Sequence, residues 1–132
     1  MKFLDPRTHG FLDYLAVLIL AMAPAVLGFE GTPALVCYLV ALAQLVVSLL
    51  TAYPVSIATV IPFRLHGAIQ LLLGIVLVLA PSLLSFSPFD NARPFFAVMG
   101  LLLGLLFACT DYKAVPDLYR SYGIGRQRVW TH

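Results

Sequence analysis

The chain has 132 residues, of which 61% are hydrophobic and only 11% are charged, with a net charge of +2 at pH 7. A soluble domain carries about 25% charged residues, and a chain this short could not bury so much apolar surface in water. The composition therefore excludes a water-soluble domain, and the small net charge argues against a nucleic-acid partner.

Four apolar stretches follow one another along the chain, and each is long enough to span about 30 Å of hydrocarbon. Each stretch follows a proline, which suits the first turn of a helix because its missing N–H would have no partner there. Asp5 and Thr32 directly precede two of these prolines and are predicted N-caps. Pro24 and Pro81 fall inside the first and third stretches and predict kinks there. The predicted spans cover residues 11–29, 34–53, 67–86 and 95–112.

The basic residues predict how these spans are oriented. Lysines and arginines gather beside the two chain ends and between spans two and three, whereas Arg93 lies in a connection on the other side. By the positive-inside rule, both termini are then cytoplasmic. The sequence thus predicts an all-α bundle of four transmembrane helices in the cell (inner) membrane. Residues 113–132 form a basic and aromatic cytoplasmic tail, which suits anionic lipid headgroups or a docking partner.

The sequence also repeats itself internally. Arg7-Thr8-His9-Gly10 matches Arg64-Leu65-His66-Gly67, and the run that follows each reaches Ala-Pro at Pro24 and Pro81. These matches indicate a duplication, with repeat one at about residues 7–53 and repeat two at about 64–112. Each repeat is a helical hairpin that returns to its starting side, so the two hairpins are related by a pseudo-two-fold axis along the membrane normal.

Two tandem hairpins, each with a proline near the end of its first helix and then a Leu-x-Phe ending, resemble the SPW-repeat family of small bacterial membrane proteins. The resemblance covers roughly residues 7–112. The family's Ser-Pro-Trp would fall at residues 23–25 and 80–82, where the prolines match and the serine and tryptophan are replaced. The resemblance implies an integral membrane protein and no particular activity.

Polar side chains concentrate in the halves of the spans nearer the cytoplasm. His9 and Asp13 are four residues apart and share a helix face, and His66 and Gln70 take the equivalent places in repeat two. Ionisable groups within spans are costly, usually face the bundle interior and often mark function. We expect this cluster to converge around the pseudo-two-fold axis together with Gln44, Ser48, Thr51, Thr110 and Asp111, with Arg7 and Arg64 beside it.

The cluster has two interpretations. In the first, His9 and His66 hold a haem iron or another metal, with Asp13 and Gln70 as supporting partners, or the same groups form a proton-linked site. In the second, both histidines lie at the headgroup level, where they cap the helix starts, meet lipid phosphates with Arg7 and Arg64, and hydrogen-bond across the bundle. The sequence favours the second, because each histidine lies two or three residues into its helix, near water, and Arg-x-His-Gly fits no metal motif.

Asp13 lies about one turn inside the apolar region, so we expect it to be hydrogen-bonded between helices. Its predicted partners are His9, Ser48 or Thr51. In span four, small residues recur every fourth position at Gly100, Gly104 and Ala108. Such spacing lets helices approach closely, either within the bundle or at a dimer face.

The sequence contains no Gly-rich phosphate loop, no nucleophile elbow and no zinc-ligand spacing, so no catalytic residue, metal ligand or cofactor is assigned. We therefore expect a non-enzymatic scaffold or accessory subunit of a membrane complex, whose partner is another membrane protein or a second copy. The alternatives are a cofactor- or small-ligand-binding four-helix bundle and a small proton-linked transporter.

Overall fold

The computed structural model describes residues 2–51, 57–58, 60–86, 88 and 91–112. Four helices make up the described fold: α1 (Pro6–Leu27), α2 (Thr32–Leu50), α3 (Phe63–Leu83) and α4 (Ala92–Cys109). Each is long and apolar enough to cross a membrane, which confirms the predicted all-α four-helix membrane bundle. The predicted tail, residues 113–132, lies outside the described residues.

The helix starts follow from their capping residues. Asp5 caps α1 as predicted, because its side chain accepts the backbone N–H of Thr8 at 2.7 Å. The prediction for Thr32 was wrong: Gly31 is the N-cap, and Thr32 is the first residue of α2. Gly31 has φ 64°, a conformation that glycine adopts without the steric cost paid by other residues.

Each hairpin packs as a unit, α1 against α2 and α3 against α4. Leu20 and Leu77, which are equivalent in the two repeats, are fully buried in the core. Pro24 and Pro81 are also buried, and both lie in the last turn of their helices rather than in the middle. Aromatic rings close the end of the bundle to which these prolines belong, with the Phe86 and Phe96 ring centroids 5.0 Å apart.

The closest helix contact joins α3 and α4 through two glycines. A Cβ atom added to Gly100 would lie 2.5 Å from the Gly74 carbonyl oxygen and 2.5 Å from Val78 Cγ2. Gly104, in contrast, has no such neighbour within 4 Å, and Ala108 is exposed. Of the three predicted packing residues, Gly100 therefore seats α4 inside the bundle. The Gly104 backbone nitrogen borders the same contact, 3.5 Å from a Cβ added at Gly74, but its own Cβ position is open.

The two repeats hold each other at the opposite end of the bundle. Leu4, just before α1, pairs with Thr110 after α4, and Ile61, just before α3, pairs with Thr51 after α2. The backbone bonds agree as well: the Phe3 amide donates to Cys109 O at 3.0 Å, and the equivalent Val60 amide donates to Leu50 O at 2.9 Å. Each extended segment therefore belongs to one repeat and pairs with the other, as a two-fold arrangement requires.

Candidate metal centre

His9 on α1 and His66 on α3 face each other at the end of the bundle where these helices begin. Both are fully buried, and their Nε2 atoms are 3.4 Å apart. Their burial contradicts the expectation that the histidines are near water, whereas the expected hydrogen bonds across the bundle are present, from His9 to Thr110 and from His66 to Thr51. The rings of Phe63 and Tyr112 pack edge-on against His9, with centroids 5.3 Å and 6.0 Å away, and these rings separate the histidines from solvent.

Two threonines contact the other ring nitrogens of the histidines. His9 Nδ1 lies 2.6 Å from Thr110 Oγ1, and His66 Nδ1 lies 2.8 Å from Thr51 Oγ1. Each hydroxyl is also within hydrogen-bond distance of the carbonyl oxygen four residues earlier, that of Leu106 or Val47. A hydroxyl that donates to this carbonyl accepts from Nδ1–H, so the arrangement favours neutral histidines protonated on Nδ1. In that tautomer, both Nε2 atoms carry a lone pair and no hydrogen.

Asp13 lies directly against both histidines and is fully buried. Its Oδ2 atom is 3.3 Å from His9 Nε2 and 2.9 Å from His66 Nε2. The predicted partners of Asp13 were His9, Ser48 or Thr51, and of these His9 is in contact with it. Thr51 pairs with His66 instead, and Ser48 Oγ has no hydrogen bond to Asp13. Asp13 is a direct neighbour of the two nitrogens rather than a supporting group behind them.

Two glutamine amides hold the other oxygen of this carboxylate. Gln70 Nε2 donates to Asp13 Oδ1 at 2.6 Å, and Gln44 Nε2 donates to the same atom at 3.1 Å. Gln70 occupies the place in repeat two that Asp13 occupies in repeat one. The two repeats therefore differ at this position, where a single carboxylate, that of Asp13, contacts both histidines.

The three atoms that face one another form a triangle suited to a metal ion. His9 Nε2, His66 Nε2 and Asp13 Oδ2 are separated by 3.4, 3.3 and 2.9 Å, and no other cluster of three metal-ligating side chains occurs among the residues that the structure describes. Zinc binds nitrogen and oxygen at about 2.0–2.1 Å, so neighbouring ligands of a tetrahedral ion are about 3.3 Å apart. An ion about 2.05 Å from all three atoms would lie roughly 0.9 Å out of their plane, with a fourth position open.

Further polar atoms of the cluster are buried without a hydrogen-bond partner among the described residues: Gln44 Oε1, Gln70 Oε1 and Ser48 Oγ. Each such atom costs about 1–3 kcal/mol if it stays unsatisfied. Two of these residues, Gln44 and Gln70, bond the same carboxylate oxygen, so the cluster retains capacity to accept hydrogen bonds. A water molecule or another small donor would meet that need.

The remaining predicted residues lie at the edge of the cluster. Arg7 and Arg64 are exposed beside the two histidines, and the Arg7 guanidinium lies 6.0 Å from the Phe11 ring centroid. Asp111 is half-buried, and its backbone amide donates to Leu4 O at 3.0 Å. Phe63 and Tyr112 form walls of the cluster and were not among the predicted site residues. The repeat offered one pointer, because Thr51-Ala52-Tyr53 matches Thr110-Asp111-Tyr112 in sequence.

A haem does not fit between the histidines as they stand. In a bis-histidine haem, the two nitrogens approach the iron from opposite faces of a flat macrocycle. Here Asp13 Oδ2 lies within 3.3 Å of both nitrogens and fills the gap that the macrocycle would need. The triangle of ligand atoms suits a bare ion, not a porphyrin.

The fold and its buried polar cluster define a multi-pass membrane protein built as a four-helix bundle from two hairpins. The chain belongs to the SPW repeat domain family, whose domain matches residues 7–111. No match was found among curated proteins or among solved structures. The family assignment confirms the resemblance drawn from the repeated prolines, both of which are buried with the alanines before them.

Proposed function

We propose that this protein binds one divalent transition-metal ion within the membrane, with His9, His66 and Asp13 as its ligands. The observation that carries the proposal is the triangle of two Nε2 atoms and one Oδ2 atom, with sides of 2.9 to 3.4 Å. The proposal replaces the scaffold as the function that the geometry supports best.

Positive charge between these three atoms relieves their mutual repulsion. When both histidines are protonated on Nδ1, two lone pairs and a carboxylate oxygen repel one another at these distances, and burial in a low dielectric strengthens that repulsion. A single proton on one nitrogen bridges only two of the three atoms. A metal ion bridges all three, and it therefore satisfies the cluster more completely.

The surroundings resemble those of established metal sites in their chemistry. A metal-ligating histidine usually donates its other ring N–H to a fixed acceptor, which orients the ring. Thr110 and Thr51 supply that acceptor for His9 and His66. Two imidazoles and one carboxylate suit zinc or ferrous iron, and three protein ligands are typical of a site that keeps a position open.

A direct test is to strip the purified protein with a chelator in detergent and titrate it with Co²⁺, whose visible bands report coordination. We expect one ion per chain and bands of a four- or five-coordinate complex. His9→Ala and His66→Ala should each abolish the bands. The matched control is His132→Ala, which alters the third histidine of the chain.

Cysteine thiolates also bind Co²⁺ and give visible bands, so a second control is needed. Cys37 and Cys109 are both free, and neither is part of the triangle. The double variant Cys37→Ser, Cys109→Ser should keep the Co²⁺ bands. Bands that vanish in this variant and persist in His66→Ala would refute the proposed ligands.

A second candidate is the non-enzymatic scaffold or accessory subunit expected from the sequence. The observation in its favour is that both histidine–threonine bonds and the Gln70–Asp13 bond run between the two repeats. The cluster could then serve to fasten the hairpins, with a proton in place of the metal. A protein that binds no metal and keeps its thermal unfolding midpoint in chelator would favour this candidate.

A further inference from the structure

The proposed metal site has an unbalanced charge. A histidine that binds a metal through Nε2 keeps its one ring proton on Nδ1, where Thr110 and Thr51 lie within hydrogen-bond distance, so both histidines contribute no charge. Asp13 is the only acidic residue among the buried side chains of the described chain. A divalent ion with one carboxylate leaves a net charge of +1 in a low-dielectric interior, which is costly unless an anion compensates it.

The broken symmetry of the repeats explains why the protein does not supply this anion itself. A strict two-fold site would place a second carboxylate at Gln70, which matches Asp13 in the repeat. The chain has a neutral amide there instead, and that amide donates to Asp13 Oδ1 at 2.6 Å. Among the residues that the structure describes, the set of carboxylate and imidazole ligands therefore has three members, and a fourth position is left for a small ligand.

We infer that the metal held by His9, His66 and Asp13 accepts a small exchangeable anion at its fourth position. This inference rests on the proposed metal binding and adds the class of ligand. The anion must be small, such as hydroxide, a halide or azide, because His9 and Asp13 are fully buried and the Phe63 ring packs against the site. Arg7 and Arg64, both exposed beside the histidines, raise the positive potential at this end of the bundle and favour entry of anions.

The test uses the Co²⁺-loaded full-length protein in a chloride-free buffer, with azide as the probe. We expect azide to change the visible bands in a saturable way, with one azide per metal ion. Bands that do not move at high azide would overturn the inference while leaving the metal site intact. Absence of any Co²⁺ bands would instead reject the metal site itself, so the two failures are distinguishable.

A variant tests the charge argument separately. Gln70→Glu places a second carboxylate beside the site and supplies the missing negative charge. We expect this variant to bind Co²⁺ and to bind azide at least about tenfold more weakly than the unaltered protein. Gln127→Glu makes the same change outside the described residues and should leave azide binding unaltered. Equal azide affinity in Gln70→Glu and the unaltered protein would contradict the inference, and if Gln70→Glu fails to fold, the azide titration of the unaltered protein decides alone.

Discussion

Thr110 Oγ1 lies 2.6 Å from His9 Nδ1, although these two residues come from opposite ends of the described chain. The equivalent pair, Thr51 and His66, is joined at 2.8 Å. Each threonine closes the second helix of one repeat and holds the histidine at the start of the other. The contacts between the repeats and the orientation of the candidate ligands therefore depend on the same two bonds.

The first prediction concerns this pairing. Thr110→Val keeps the shape of the side chain and removes the acceptor of the His9 Nδ1–H, which would stay buried without a partner. We expect a loss of about 1–3 kcal/mol in the free energy of unfolding and a 10–100-fold loss in metal affinity. Thermal unfolding and Co²⁺ titration in detergent measure both. Thr51→Val should behave alike by symmetry, whereas Thr32→Val, at an exposed position, should change neither.

The second prediction concerns the carboxylate. Asp13→Asn preserves the size of the side chain but removes the charge that a divalent ion requires. Metal affinity should fall at least about 100-fold, beyond the usual effect of altering a group behind the ligands. Asp111→Asn provides the control, because Asp111 lies at the end of α4 and outside the triangle. Co²⁺ binding that survives in Asp13→Asn would remove Asp13 from the ligand set.

The third prediction separates two glycines of α4. Gly100→Ala should cost about 1–3 kcal/mol, because its Cβ would meet the Gly74 carbonyl oxygen and Val78 Cγ2 at 2.5 Å. Gly104→Ala has no such neighbour within 4 Å and should be neutral or stabilise the helix by up to about 1 kcal/mol. Thermal unfolding of the two variants measures the contrast. Equal destabilisation would indicate that Gly104 also packs, against a partner chain.

The fourth prediction concerns the aromatic wall of the site. A Cβ atom at Gly67 would lie 2.6 Å from Tyr112 Cζ, so Gly67→Ala should push the Tyr112 ring away from its position near His9. We expect faster loss of bound metal to an added chelator, by roughly tenfold, an estimate that corresponds to about 1.4 kcal/mol on the barrier. In a Tyr112→Ala background, Gly67→Ala should have no further effect, because the clash is gone. Additive effects of the two changes would contradict the contact.

The fifth prediction concerns the cap of α1. Asp5→Ala should cost about 1 kcal/mol, because the Thr8 amide loses its acceptor. The backbone N–H of Thr8 holds the pKa of Asp5 below its ordinary value. A lowered pKa in the folded state stabilises the fold above the unfolded pKa, and this contribution is lost as pH falls through the folded value. The unaltered protein should therefore unfold at a higher temperature than Asp5→Ala at pH 7. This difference in unfolding midpoint should be smaller at pH 3.

The sequence was sufficient to predict the four helices and the family, because long apolar runs and repeated prolines are local features. It also predicted that His9, Asp13, His66 and Gln70 share one region, since their spacing places them on equivalent faces of α1 and α3. It could not predict their burial. That burial depends on Phe63, which packs from α3 onto His9 of α1, and on Tyr112, which follows α4. Spacing within one helix does not reveal such contacts between elements.

The partners of Asp13 were harder to predict for a similar reason. Helical periodicity shows which residues share a face, so His9 was identified as a neighbour. It does not show how far α2 is shifted along its axis relative to α1. Gln44 and Ser48 are one helical turn apart on α2, so this shift decides which of them reaches Asp13. The sequence also did not predict that the threonine of each repeat bonds the histidine of the other. A duplication in sequence does not show whether equivalent residues contact each other within one repeat or between the two.

The pairing of Leu4 with Thr110 and of Ile61 with Thr51 has a consequence for the order of the chain. Residues 52–60 connect Thr51 to Ile61 along the chain. No chain segment runs from Thr110 to Leu4, so this equivalent pair is joined by hydrogen bonds alone. A circular permutant that joins residues 112 and 3 by a short linker, and opens the chain between 51 and 61, would exchange these two roles. The bundle has no inherent first hairpin, and either one could be synthesised before the other.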